Sequence, residues 1–101
     1  VAVADGVVSR MSRRPRGLGG ITLWIRDDAG NAYYYAHLSA IPPGLAEGAR
    51  VRAGQTVGAV GTTGDARGTP PHLHFELHPA GRGPINPYTE LRAVAAAGTP
   101  V

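Results

Sequence analysis

In the stretch Pro70-Pro71-His72-Leu73-His74-Phe75-Glu76-Leu77, apolar and polar side chains alternate without a break after the prolines. A period of two is that of a β-strand, whose successive side chains point to opposite faces. Leu73, Phe75 and Leu77 are therefore expected to face a core, and His72, His74 and Glu76 to share the other face. The two prolines fix the entry and keep the strand's first residues out of a regular ladder. Taken alone, His-x-His is equally the mark of an exposed strand carrying two titrating histidines. Its meaning depends on the residues that accompany it.

The rest of the chain is punctuated in a way that suits short strands. Fifteen glycines and nine prolines are spread over 101 residues, which favours many tight turns and an all-β fold over a helical bundle. A chain of this length makes one small domain, and a hydrophobic share of 43% is enough for a core. Val1–Val8 reads as a strand bent or bulged at Gly6. Residues 11–20 read as a loop. Ile21–Arg26 is the clearest alternating strand, Asp27-Asp28-Ala29-Gly30-Asn31 is a hairpin turn, and Ala32–Leu38 is its antiparallel partner, with Tyr33, Tyr35 and His37 on one face. Residues 39–47 form a loop. Gly48, Gly54, Gly58 and Gly61 divide the next segment into short apolar pieces that turn sharp corners. Residues 62–69 are a polar loop leading to the His-x-His strand, 80–84 a turn, and 90–97 one or two helical turns. The expected fold is a compact antiparallel β-core of barrel or sandwich type with long loops. Its bounds are 1–92, with 93–101 a flexible alanine-rich tail.

Charge and missing residue types narrow the chemistry. The sequence has no cysteine, so disulfides and thiolate metal sites are excluded and any metal must use histidine and carboxylates. All ten basic residues are arginine, for a net charge of +3, with Arg10, Arg13, Arg14 and Arg16 the only cluster. No aromatic residue interleaves that cluster, which argues against nucleic acid as a partner. A solvated loop is its default reading, and attraction to anionic wall polymers the alternative. No apolar run approaches the roughly 20 residues of a membrane span. The chain opens on Val1 in mid-pattern without a signal peptide, and an upstream part is expected to precede it.

Four motifs occur in a fixed order: Tyr35-Ala36-His37-Leu38, then Gly48 through Gly54-Gln55 and Gly58, then Val60-Gly61-Thr62-Thr63-Gly64, then Pro71-His72-Leu73-His74-Phe75-Glu76. In this order and spacing the chain resembles the lysostaphin-type zinc metalloendopeptidases of bacterial cell walls, from about Val1 to Leu91. The resemblance implies a compact antiparallel β-core, a site for one Zn2+ and hydrolysis of peptide bonds in peptidoglycan stems or cross-bridges. It assigns His74 as a zinc ligand and His72 and His37 as catalytic histidines. Peptidoglycan peptides become the expected partner of a monomeric domain in the bacterial cell envelope, extracellular or periplasmic. The chain departs from the family's pattern at one point: it contains no His-x-x-x-Asp, the motif that supplies the other two ligands. His78, Asp65 and Asp5 are poor substitutes on sequence grounds, and a lone His74 should not hold zinc tightly. Glu76, on the histidine face, either orients an imidazole or is simply solvated.

Two further readings compete. One is a catalytically inactive relative that binds cell-wall material or regulates a cell-wall amidase; retention of three histidines speaks against it, since a dead site has no chemical use for them. The other is a biotinyl- or lipoyl-carrier barrel, suggested by the glycine spacing from Gly48 to Val60. That function needs a lysine to modify, and the sequence has none.

Overall fold

The computed structural model describes residues 1–14, 17–64 and 73–80. The described residues form six strands: β1 (Gly6–Ser12), β2 (Ile21–Arg26), β3 (Ala32–Ala40), β4 (Arg50–Val51), β5 (Ala59–Val60) and β6 (His74–His78). They build one sheet in the order β4-β1-β2-β3-β5, and β6 also pairs with β3. Every pairing is antiparallel. Strand β3 organises the sheet. One edge is taken by β2, and the other is divided between β6, along Ala32–Ala36, and β5, along Leu38–Ala40. His72, Asp65, the Pro70–Pro71 entry, the expected turns of helix at 90–97 and the tail at 93–101 lie outside the described residues.

Alternation places the core on one face. Ile21, Leu23 and Ile25 of β2, Tyr35 and Leu38 of β3 and Phe75 of β6 are buried, joined by Val8, Ile41, Leu45, Val51, Val57 and Val60. Leu73, Leu77 and Tyr33 pack against this cluster, so the apolar set of the His-x-His strand faces inward as its period requires. The Tyr35 ring meets Phe75 edge-on at 5.2 Å, and burial pushes its hydroxyl's pKa up to about 12.

The first strand differs from its sequence reading. It begins at Gly6 and continues through Ser12, into the stretch read as a loop. Residues ahead of Gly6 are held otherwise: Ala2 exchanges backbone hydrogen bonds with the 54–55 turn, its N–H to the Gln55 carbonyl and its own carbonyl from the Gly54 N–H, both 2.8 Å. The expected bulge lies at Ser9, where the partners step from Val8↔Ile25 to Arg10↔Trp24. Gly6 serves a close approach instead, because a Cβ there would collide with the Arg26 carbonyl. Part of the arginine cluster is also structural: the Arg13 guanidinium donates to the carbonyls of Ile41, at 2.6 Å, and Pro42, at 2.8 Å. It ties down the 41–45 loop and is thereby withdrawn from any anion-binding patch.

Candidate active site

The site is built where β3 changes partners. Along β2 and β3 the pairing steps from Leu23↔Tyr35 to Ile21↔Leu38. Strand β3 therefore carries one residue more than β2 over this interval, which is a β-bulge. His37 lies within it at φ 60°, the only non-glycine residue at positive φ among those described. A non-glycine residue there costs on the order of 1–3 kcal/mol and persists only where its surroundings enforce it.

Those surroundings are specific. The His37 N–H donates to the Gly19 carbonyl at 2.8 Å. The ring Nδ1 lies 2.7 Å from the Thr63 carbonyl; a carbonyl only accepts, so Nδ1 carries the hydrogen and Nε2 the lone pair of the neutral ring. Thr63 binds both flanking strands through its hydroxyl, accepting from Ile21 N–H at 3.0 Å and donating to the Leu38 carbonyl at 2.7 Å. Loops 17–20 and 61–64 close on each other at this point. Gly20 (φ 68°) and Gly64 (φ 72°) both adopt a left-handed backbone, and a Cβ on either would collide with the other's segment.

The bulge corrects the expectation that His37 shares a face with Tyr33 and Tyr35. With one extra residue inserted, Leu38 takes the buried position that strict alternation would give to His37. The His37 ring instead meets the His74 ring, perpendicular at 87° with centroids 5.6 Å apart. His74 lies on the outward face of β6, opposite Ala36. Two histidines from separate motifs thus converge. His37 is nonetheless buried, at 7% exposure.

Glu76 is the second finding on this face. Its carboxylate accepts from His74 Nε2 at 2.8 Å and from His78 Nε2 at 2.7 Å. Burial raises the Glu76 pKa, but the hydrogen bonds and charges of the two imidazoles outweigh burial and leave it lowered. Glu76 is thus not simply solvated: each of its oxygens lies within hydrogen-bond distance of an imidazole. His78 is the last residue of β6. Its ring lies 4.9 Å from that of Trp24, which itself lies 4.6 Å from Tyr34. The parts played by Thr63 and the Gly19–Gly20 pair were not read from the sequence, although Val60-Gly61-Thr62-Thr63-Gly64 is one of the four motifs that carry the resemblance.

The described residues hold no group of three histidines or carboxylates able to take a metal. Asp5 is used elsewhere, its carboxylate accepting from Ala53 N–H at 2.7 Å. What is present fits zinc in part: a half-buried imidazole whose second nitrogen is held by a carboxylate is the usual arrangement of a histidine ligand.

The described residues thus form an antiparallel sheet that presents two histidines against each other, one of them backed by a carboxylate. The family model of Peptidase family M23 matches residues 1–87, and the chain belongs to that family, whose members are zinc-dependent. It is 45% identical over 86 residues to the DD-carboxypeptidase/endopeptidase Mpg of Neisseria meningitidis serogroup B (strain ATCC BAA-335 / MC58), covering 85% of this chain and 18% of that protein. The catalytic domain of the antimicrobial peptidase lysostaphin from Staphylococcus simulans superposes with a TM-score of 0.70 at 28% identity, covering 88% of this chain and 63% of that one. A zinc containing peptidase from Vibrio cholerae gives a TM-score of 0.65 at 31% identity, over 92% of this chain and 25% of its own. The chain therefore spans under a fifth of the length of the Neisseria relative.

Proposed function

We propose that these residues form the catalytic β-domain of a zinc-dependent endopeptidase that hydrolyses peptide bonds in the stem peptides or cross-bridges of bacterial peptidoglycan, acting in the cell envelope. The observation that carries this reading is the approach of His37 to His74, enforced by a strained bulge. Strain at a position held by a titratable side chain is a cost retained where chemistry needs it. In this reading His74 is one zinc ligand, and His72 and His37 are the catalytic histidines. The sequence contains no His-x-x-x-Asp, so in this reading the other two ligands are not supplied by that motif within these 101 residues.

Zinc, when bound, polarises a carbonyl and acidifies water. The chain's own groups handle the protons. With Nδ1–H committed to the Thr63 carbonyl, His37 offers only Nε2. The neutral ring can accept a proton there; the protonated ring can donate to a developing oxyanion or a leaving amine. His72 is the partner base.

The test is zinc content and release of new amino termini from purified peptidoglycan, measured on the whole protein and on its His72→Ala variant. The expected outcome is hydrolysis by the parent, with a loss on the order of 100-fold or more in the variant and zinc retained. Loss of zinc from the variant would overturn the role given to His72. A zinc-loaded parent that binds peptidoglycan without cutting it would favour the inactive, wall-binding relative.

A further inference from the structure

The outward face of β6 contains a chain of contacts that ligand and catalytic roles do not account for. His74, Glu76 and His78 occupy successive positions on that face, and each imidazole donates Nε2–H to a different oxygen of the same carboxylate, Oε2 for His74 and Oε1 for His78. A carboxylate bonded through one oxygen only can swing about its terminal bond; bonded through both, it cannot turn without breaking one contact. His78 is fixed in turn by its ring contact with Trp24 of β2. The strand beneath is regular, with β6 paired to β3 at every residue from His74 to His78.

We propose that Glu76 is a positioning residue for His74, and that His78, braced by Trp24, holds Glu76 in place. The carboxylate fixes the neutral His74 ring in its Nε2–H tautomer and sets its orientation, so that Nδ1 is the nitrogen carrying the lone pair. The arrangement deepens the reading of His74 as a ligand and rests on it. It assigns work to two residues, Glu76 and His78, that touch neither substrate nor metal.

Ring 1H–15N spectra of the metal-free whole protein test this independently of catalysis, alongside zinc affinity measured by competition with a chromophoric chelator. In the parent, His74 and His78 should both be Nε2–H tautomers. In Glu76→Gln the carboxamide oxygen serves one ring and its amino group faces the other, so His74 should become a mixture of tautomers and zinc affinity should fall about 10–100-fold. His78→Phe keeps the packing on Trp24 and removes one donor; it should leave His74 mainly Nε2–H and lower affinity by less than Glu76→Gln does. An unchanged His74 tautomer with unchanged affinity in Glu76→Gln would overturn the proposal. If Glu76→Gln fails to fold, a parental affinity in His78→Phe would overturn the bracing role. A tautomer shift in Glu76→Gln from a parent that binds no zinc would uphold Glu76 as the positioning group while removing His74 from the ligand set.

Discussion

The β2–β3 ladder ends in two contrasting ways. At one end the chain turns through Asp27–Asn31, and everything needed is local. The Asp27 N–H donates to the Asn31 carbonyl at 3.0 Å, the Asp27 carboxylate accepts from Asn31 N–H at 2.9 Å, and Gly30 provides the left-handed residue at φ 88°. At the other end the ladder breaks at His37. Nothing local explains the break; it is held by Gly19, Thr63 and Gly64, which are far away in sequence. The first end is satisfied by turn chemistry that any hairpin could use. The second places a buried titratable ring in a costly backbone conformation, and long-range contacts meet that cost.

Replacing His37 separates the two roles most sharply. Asn tolerates a left-handed backbone better than most residues but cannot relay a proton. In the whole protein, His37→Asn should cut peptidoglycan hydrolysis on the order of 100-fold or more while leaving the thermal midpoint nearly unchanged. Asp27→Ala, at the other end, should leave hydrolysis unchanged. A large loss of stability in His37→Asn would show that the ring holds the bulge together, against the view that the loops do.

Glycine replacements compare the two ends in stability. Gly20→Ala places a methyl group in the contact with the 63–64 backbone while the residue keeps φ 68°; strain and collision together should cost on the order of 4 kcal/mol by denaturant unfolding. Gly30→Ala also has positive φ, but its Cβ would meet only the Ala80 methyl at 3.3 Å, and the cost should be about 1 kcal/mol. Equal costs would mean that backbone strain alone is being measured and that the closure of the two loops contributes nothing.

The same contrast explains what could be read from the sequence. Ile21–Arg26, the Asp27–Asn31 turn and the return strand follow from alternation and turn residues, and the structure reproduces them. The faces of Leu73–His78 follow equally from a period of two. The face of His37 did not, because one inserted residue reverses parity and insertion leaves no trace in a hydrophobic pattern. The start of β1 was also misplaced: Val1, Ala2 and Val3 are apolar as a strand's residues can be, but Ala2 finds its partners in the 54–55 turn. The contact of Glu76 with an imidazole was legible as one of two options, and it is the distances to both imidazoles that show it.

The smallest expected effect belongs to the hairpin's own carboxylate. The side-chain hydrogen bond from Asn31 is the largest influence on Asp27; with those from the Tyr33 hydroxyl and the backbone it overcomes burial and lowers the carboxyl pKa. A carboxyl whose pKa is lower in the folded than in the unfolded chain stabilises the fold at every pH above its unfolded value. That contribution is lost as the pH falls through the folded value, so its window opens below the ordinary 3.8 of an aspartate. Asp27 is well solvated, so screening keeps the gain small, about 0.5–1 kcal/mol. Unfolding by urea at neutral pH and near pH 3 should show the parent losing part of this increment relative to Asp27→Asn, which has no charge to lose. Hydrolysis measured at neutral pH should be the same for both. If Asp27→Asn instead lowered activity, the turn would be communicating with His37 along β3, and the two ends of the ladder could no longer be treated as independent.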